Sequence, residues 1–121
     1  MLVEDEEVVR EMATEILRES GYLVLEAKHP NEALTLAAQY AGEIHLMLTD
    51  VVMPQMGGRE LAEQLMPIRP DMKVLYMSGY TDDAIVHHGV LEEGMAFIAK
   101  PFSIDALTRK LRETLDAPVA V

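Results

Sequence analysis

Short apolar clusters of strand length alternate with segments of helical period along the whole chain, and no other feature restricts its fold as tightly. The clusters are Met1 to Glu4, Tyr22 to Ala27, His45 to Thr49, Lys73 to Ser78 and Met95 to Ala99. Val8, Met12, Ile16 and Leu17 give a first helix its apolar stripe, and Gly21 is placed to stop it. Pro30 suits the first turn of a second helix carrying Ala33, Leu34, Ala37 and Ala38. Gly58 opens a third, with Leu61, Ala62, Leu65 and Met66 inward, and Pro67 and Pro70 close it. A fourth is expected over Asp82 to Glu92, weakened by Gly89, and Ile104, Leu107, Leu111 and Leu115 mark a fifth.

Such alternation predicts an α/β protein: a doubly wound, flavodoxin-like (βα)5 fold whose five-stranded parallel sheet has the order 2-1-3-4-5 and helices on both faces. A chain of 121 residues is long enough for one domain, expected over 1–116, with a frayed tail at 117–121. The first strand has only Met1, Leu2 and Val3 before the acids, which is short for a central strand and is expected to reflect truncation at the N-terminus. There is no repeat and no low-complexity tract. No apolar run approaches the roughly 18 residues of a membrane span, which with the lack of a basic leader predicts a soluble, cytoplasmic domain without direct membrane contact. A net charge of −11 argues against nucleic acid and anionic lipid and suits a metal cation or a basic protein partner. The absence of cysteine removes disulfides, thiolate metal sites and cysteine nucleophiles.

In a doubly wound sheet the ligand site lies outside the carboxyl ends of the strands, where strand order reverses. Glu4 and Asp5 follow the first strand, Asp50 ends the third, Ser78 ends the fourth and Lys100 lies just past the fifth. Taken singly each has an ordinary explanation: Asp5 as a helix cap, Asp50 and Ser78 as turn residues, Lys100 as a solvated charge. Together they are harder to dismiss, because carboxylates converging on one crevice repel unless a cation sits among them or one stays protonated. Glu4, Asp5 and Asp50 offer oxygen only, which suits Mg²⁺ and not zinc. Mg²⁺, a lysine, a hydroxyl and a carboxylate are the parts of phosphoryl transfer, with Asp50 as the nucleophile aimed by an apolar strand and the Val51 to Gly58 loop leaving room for the group it accepts.

With "VEDE" at 3–6, "MLTDVVMPQMGG" at 47–58, "MSGY" at 77–80 and "KPF" at 100–102, the chain resembles the receiver domain of two-component response regulators along its whole length. The resemblance implies that Asp50 accepts a phosphoryl group from the phosphohistidine of a histidine kinase or histidine phosphotransfer domain. It implies Mg²⁺ bound by Asp5, Asp50 and the Val52 backbone carbonyl, with Glu4 acting mostly through water. Lys100 would pair with the phosphoryl oxygens, its bond to Pro101 would be cis, Ser78 would move toward the phosphate, and Phe97 would occupy the aromatic switch position. Such a domain catalyses its own phosphorylation and dephosphorylation, is read by a downstream signalling protein, and takes no small molecule beyond phosphodonors. "GYTDDAIVHHGVLEEGMAFIAKPFS" at 79–103 looks like receivers at the C-terminal end of hybrid sensor histidine kinases.

Two other classes share parts of this pattern. An Asp-nucleophile, Mg²⁺-dependent phosphatase is expected to carry a second acid two residues after the nucleophile, where Val52 stands. A flavin module of the same topology needs a Gly/Ser/Thr-rich phosphate loop after the first strand, where "EDEEVV" stands. His87 and His88, adjacent on a helix, point about 100° apart and are expected on the surface, not on one metal. The nine methionines read as core filler.

Overall fold

The computed structural model describes residues 1–79 and 96–117. Its elements are β1 (Leu2–Val3), α1 (Glu7–Glu19), β2 (Glu26–Ala27), α2 (Pro30–Gln39), β3 (Leu46–Asp50), α3 (Gly58–Leu65), β4 (Lys73–Ser78), β5 (Phe97–Ala99) and α4 (Ile104–Asp116). The strands form one parallel sheet in the order β2-β1-β3-β4-β5, so the order reverses between β1 and β3. This is the doubly wound architecture expected from the sequence. The fourth helix expected over Asp82 to Glu92, the His87–His88 pair and the end of the tail lie outside the described residues.

Side-chain alternation along the strands divides the core in two. Val3, Met47 and Tyr76 face one way, into the layer built with Ala33 and Ala37 of α2 and Leu61 and Leu65 of α3. Leu2, Leu48, Leu75 and Met77 face the other way, against Ala13 and Leu17 of α1 and Leu107 and Leu111 of α4. Met47, Leu48, Leu75 and Met77 are at most 1 % exposed, and burying each side chain of this kind contributes about 1.5–3 kcal/mol. With both faces covered, β3 reads as an unbroken apolar run up to Thr49 and Asp50.

Two strands are shorter than their apolar residues suggest. The register sets Leu2 against Glu26, so Tyr22, Leu23 and Val24 have no β1 residue opposite them and β2 begins only at Glu26. A cavity of about 650 Å³ lies there, lined by Val24, Leu46 and Leu111 among others. β1 itself ends at Val3, where its backbone turns toward α1.

Helix ends follow their sequence signals. Gly21, at a φ of 95°, closes α1 in a Schellman arrangement, its N–H bonded to Arg18 O at 3.0 Å and that of Tyr22 to Leu17 O at 3.0 Å. Pro30 occupies the first turn of α2, and Ser103 Oγ caps α4 by accepting from the Ala106 N–H at 3.0 Å.

The inward face of α1 is rotated from the expected stripe. Val8 is 78 % and Met12 41 % exposed, while Arg10, Ala13, Thr14, Ile16 and Leu17 are buried. Hydropathy places polar residues outside, so Arg10 and Thr14 misled it.

Arg69, beyond α3, ties the end of α2 to the chain entering β3. Its guanidinium donates to Ala37 O at 3.1 and 3.2 Å, Tyr40 O at 2.6 Å and Gly42 O at 2.7 Å. Charged donors hold these carbonyls where α2 has run out of its own. Replacing it, Arg69→Met, is expected to lower unfolding free energy by about 2–3 kcal/mol, read from urea midpoints.

Candidate functional site

Parallel pairing brings the C-terminal ends of β1, β3, β4 and β5 to one rim. Val51 N donates to Met77 O at 2.9 Å and Lys100 N to Ser78 O at 2.7 Å, so the ladder fixes the residues just past the strand ends as well. Asp50, Ser78 and Lys100 thereby line a cavity of about 370 Å³ with Val52, Pro101 and Phe102, and the carboxylates of Glu4 and Asp5 lie beside that of Asp50.

Asp50 is 4 % exposed, and its Oδ1 lies 2.6 Å from Lys100 Nζ. The same ammonium stands 3.6 Å from Glu4 Oε2. Glu4 is fully buried, with Oε1 accepting from the Glu6 N–H at 3.3 Å and Oε2 lacking a hydrogen-bond partner. Asp5 is exposed, yet it offers an oxygen to the group: carboxylate oxygens of Glu4, Asp5 and Asp50 all lie within 4.8 Å of one another. Burial, then the hydrogen bond and like charge of Asp50, push the Glu4 carboxyl well above the usual carboxylate range. Burial opposes the Lys100 charge, but the hydrogen bond to Asp50 and the charges of Asp50 and Glu4 outweigh it and raise the lysine pKa.

Three acids converge on one lysine, so ionising all of them leaves a charge excess that a hard dication relieves, and Glu4 Oε2 is a buried oxygen without a donor. The donor set fits Mg²⁺. Among the described residues, Ser78 Oγ, on a residue 2 % exposed, is the other buried side-chain polar atom without a hydrogen-bond partner. The Lys100–Pro101 bond is cis, as expected.

The loop from Val51 to Gly57 folds back over the end of β3. Gly58 N donates to Val51 O at 2.8 Å, and a Cβ at Gly58 would lie 2.1 Å from Asp50 O. A helix start or an open loop at Gly58 does not require glycine; the double glycine after a proline is the sequence sign of this close approach. Arg10 was missed as well, because its place on α1 reads as surface.

Phe97 differs from the plain core position that an aromatic on a strand suggests. It is 43 % exposed on β5, opposite Tyr76, and is not among the residues lining the cavity. Val52 is 66 % exposed at the cavity mouth, where a phosphatase of the Asp-nucleophile type is expected to place its second acid.

A doubly wound sheet holds its ligand site at the switch point, and the acid, lysine and hydroxyl rim standing there supplies the parts of phosphoryl transfer. The sequence profile of the response regulator receiver domain matches residues 1–112, and the chain belongs to that family. It is 37 % identical over 116 residues to the sensor kinase CckA of Brucella abortus, covering 96 % of this chain and 12 % of that one. Its likeness to the response regulator receiver protein CpdR of the same organism is 29 % identity over 117 residues, covering 97 % of this chain and 96 % of that one. The crystal structure of the receiver domain from the hybrid histidine kinase CckA superposes with a TM-score of 0.79 at 36 % identity, covering 95 % of this chain and 96 % of that one. The chain thus spans a small part of the kinase it resembles. These likenesses establish a receiver domain of two-component signalling and do not favour the phosphatase. Among the described residues no helix is long and apolar enough to cross a membrane.

Proposed function

We propose that Asp50 is the phosphoacceptor, taking a phosphoryl group from a phosphohistidine on a histidine kinase or histidine phosphotransfer domain. The observation that carries this reading is the buried Asp50 carboxylate, 2.6 Å from Lys100 Nζ and within reach of two further acids. An Asp50 oxygen attacks phosphorus, the P–N bond breaks, and the departing imidazole keeps the electron pair and takes a proton. Glu4, Asp5, Asp50 and the Val52 carbonyl would hold Mg²⁺. Bound there, the ion neutralises charge on the transferring group and orients it.

Lys100 leaves its pairing with the free carboxylate for the new phosphoryl oxygens, and Ser78 Oγ, which lacks a partner, donates to one of them. Phosphorylation adds about −1.5 to −2 charge at this point. The rearranged ends of β4 and β5, with Ser78 and Phe97, present a second packing that a downstream protein reads, on the cytoplasmic side of the membrane. The likeness to a sensor kinase supports a phosphodonor of the histidine kinase type.

Intact-mass spectrometry after incubation with acetyl phosphate tests the reading. One base-labile phosphoryl group, formed with Mg²⁺ and not with EDTA, is the expected result; no adduct, or sustained hydrolysis of phosphate monoesters, overturns it. Lys100→Met is expected to slow adduct formation about 100-fold, because it removes the cation facing the charge that develops on the phosphoryl oxygens. A time course of the adduct by mass reads this directly.

A further inference from the structure

Among the described residues, Arg10 is the buried charge that the phosphoryl chemistry leaves unused. It sits on the inward face of α1 at 8 % exposure, and its Nη1 donates to the backbone oxygen of Glu4 at 3.0 Å. That carbonyl belongs to the Glu4–Asp5 peptide unit, and the residues on either side of the unit carry two of the three clustered acids. The other side of the guanidinium faces Glu26 on β2, with Nε 3.9 Å from Oε1. Glu26 is held in turn by the Thr14 hydroxyl, which donates to Oε1 at 3.1 Å, and by Arg18 Nη2, 3.6 Å from Oε2.

We infer that Arg10 is a positioning residue for the metal site, aimed by Glu26 and Thr14 and acting through the Glu4–Asp5 peptide. Glu4 is fixed at both backbone ends: its N–H donates to Ala27 O at 3.1 Å and its carbonyl accepts from Arg10. The peptide units on either side of Glu4 are therefore each held by one hydrogen bond, which restrains rotation about the Glu4 backbone and so the directions in which Glu4 and Asp5 leave the chain. A guanidinium is suited to this because its fork holds a carbonyl on one side and a carboxylate on the other, and it never loses its charge. Burying it has a desolvation cost that a purely structural contact between α1 and β1 would avoid with an apolar side chain. Residues that orient metal ligands without touching the ion commonly govern affinity by 10–100-fold.

The inference rests on the proposed Mg²⁺ site, and Mg²⁺ titration by calorimetry on the whole chain tests it. Arg10→Met is expected to weaken Mg²⁺ binding about tenfold. Arg10→Lys recovers part of this loss, since an ammonium reaches the Glu4 carbonyl but does not span to Glu26. Glu26→Gln, at the more exposed end of the chain of contacts, gives a smaller weakening and covers the case in which Arg10→Met does not fold. In the metal-free protein, Arg10→Lys is expected to shift the Asp5 amide resonance. Wild-type Mg²⁺ affinity in Arg10→Lys and Glu26→Gln, with lowered urea midpoints only, overturns the inference and leaves Arg10 a fold contact. Absence of Mg²⁺ binding in the wild type overturns the metal reading itself, and this inference with it.

Discussion

Asp50→Asn is expected to abolish the phosphoryl adduct and, in EDTA, to make the protein more stable. Loss of the adduct follows from chemistry, because an amide oxygen does not displace a phosphohistidine. The gain in stability is a matter of sign. Asp50 is 4 % exposed, and in the metal-free protein its charge faces the Asp5 carboxylate and a Glu4 carboxyl that it helps to push above the ordinary range, while among the described residues Lys100 balances it. The substitution removes one buried charge and its unfavourable effect on the neighbouring acids but keeps an acceptor oxygen for the ammonium, which still has Glu4 Oε2 at 3.6 Å. Desolvation and repulsion therefore outweigh the lost ion pair, by about 1–3 kcal/mol. Urea unfolding in EDTA checks the direction. Mg²⁺ should then narrow the gap, since it binds and stabilises the wild type more strongly. A variant less stable than wild type without metal would mean that the ion pair with Lys100 dominates the site.

Sequence pattern and structure agree where one physical rule decides the outcome. Burial on both faces demands an apolar run, so Leu46, Met47 and Leu48 announce β3, and an acid at its end stands out. Pro30 and Gly21 mark helix ends for reasons of backbone conformation that no tertiary contact overrides here. Patterning fails where a polar residue is buried because of what it bonds. Arg10 and Thr14 face inward to reach Glu4 O and Glu26, and their polarity hid the true face of α1 behind Val8 and Met12. Neighbouring acids are no more legible: Glu4 is buried and Asp5 exposed, although their carboxylate oxygens lie within 4.8 Å of each other.

Gly58→Ala is expected to damage fold and site together, with a loss of about 2–4 kcal/mol in unfolding free energy. The cause is proximity, not conformational freedom, since the φ of Gly58 is not positive. A Cβ there would lie 2.1 Å from Asp50 O and 3.0 Å from both Asp50 C and Thr49 Cγ2. The first two atoms are backbone, so no rotamer change relieves the overlap; either the start of α3 or the end of β3 has to move. Movement of α3 strains the bond from Gly58 N to Val51 O, 2.8 Å long, and disturbs Leu61 and Leu65, which are fully buried. Movement of β3 shifts Asp50 away from Lys100 Nζ, and a displacement near 1 Å commonly costs a positioned reaction about 100-fold. Gly57→Ala is the matched control: its Cβ would meet only Val51 O, at 3.0 Å, which a small adjustment of the loop relieves. Urea midpoints and the rate of adduct formation should therefore both fall steeply for Gly58→Ala and mildly for Gly57→Ala. Equal, mild effects at both positions would show that the loop yields freely, and that the backbone of Asp50 is not pinned by α3.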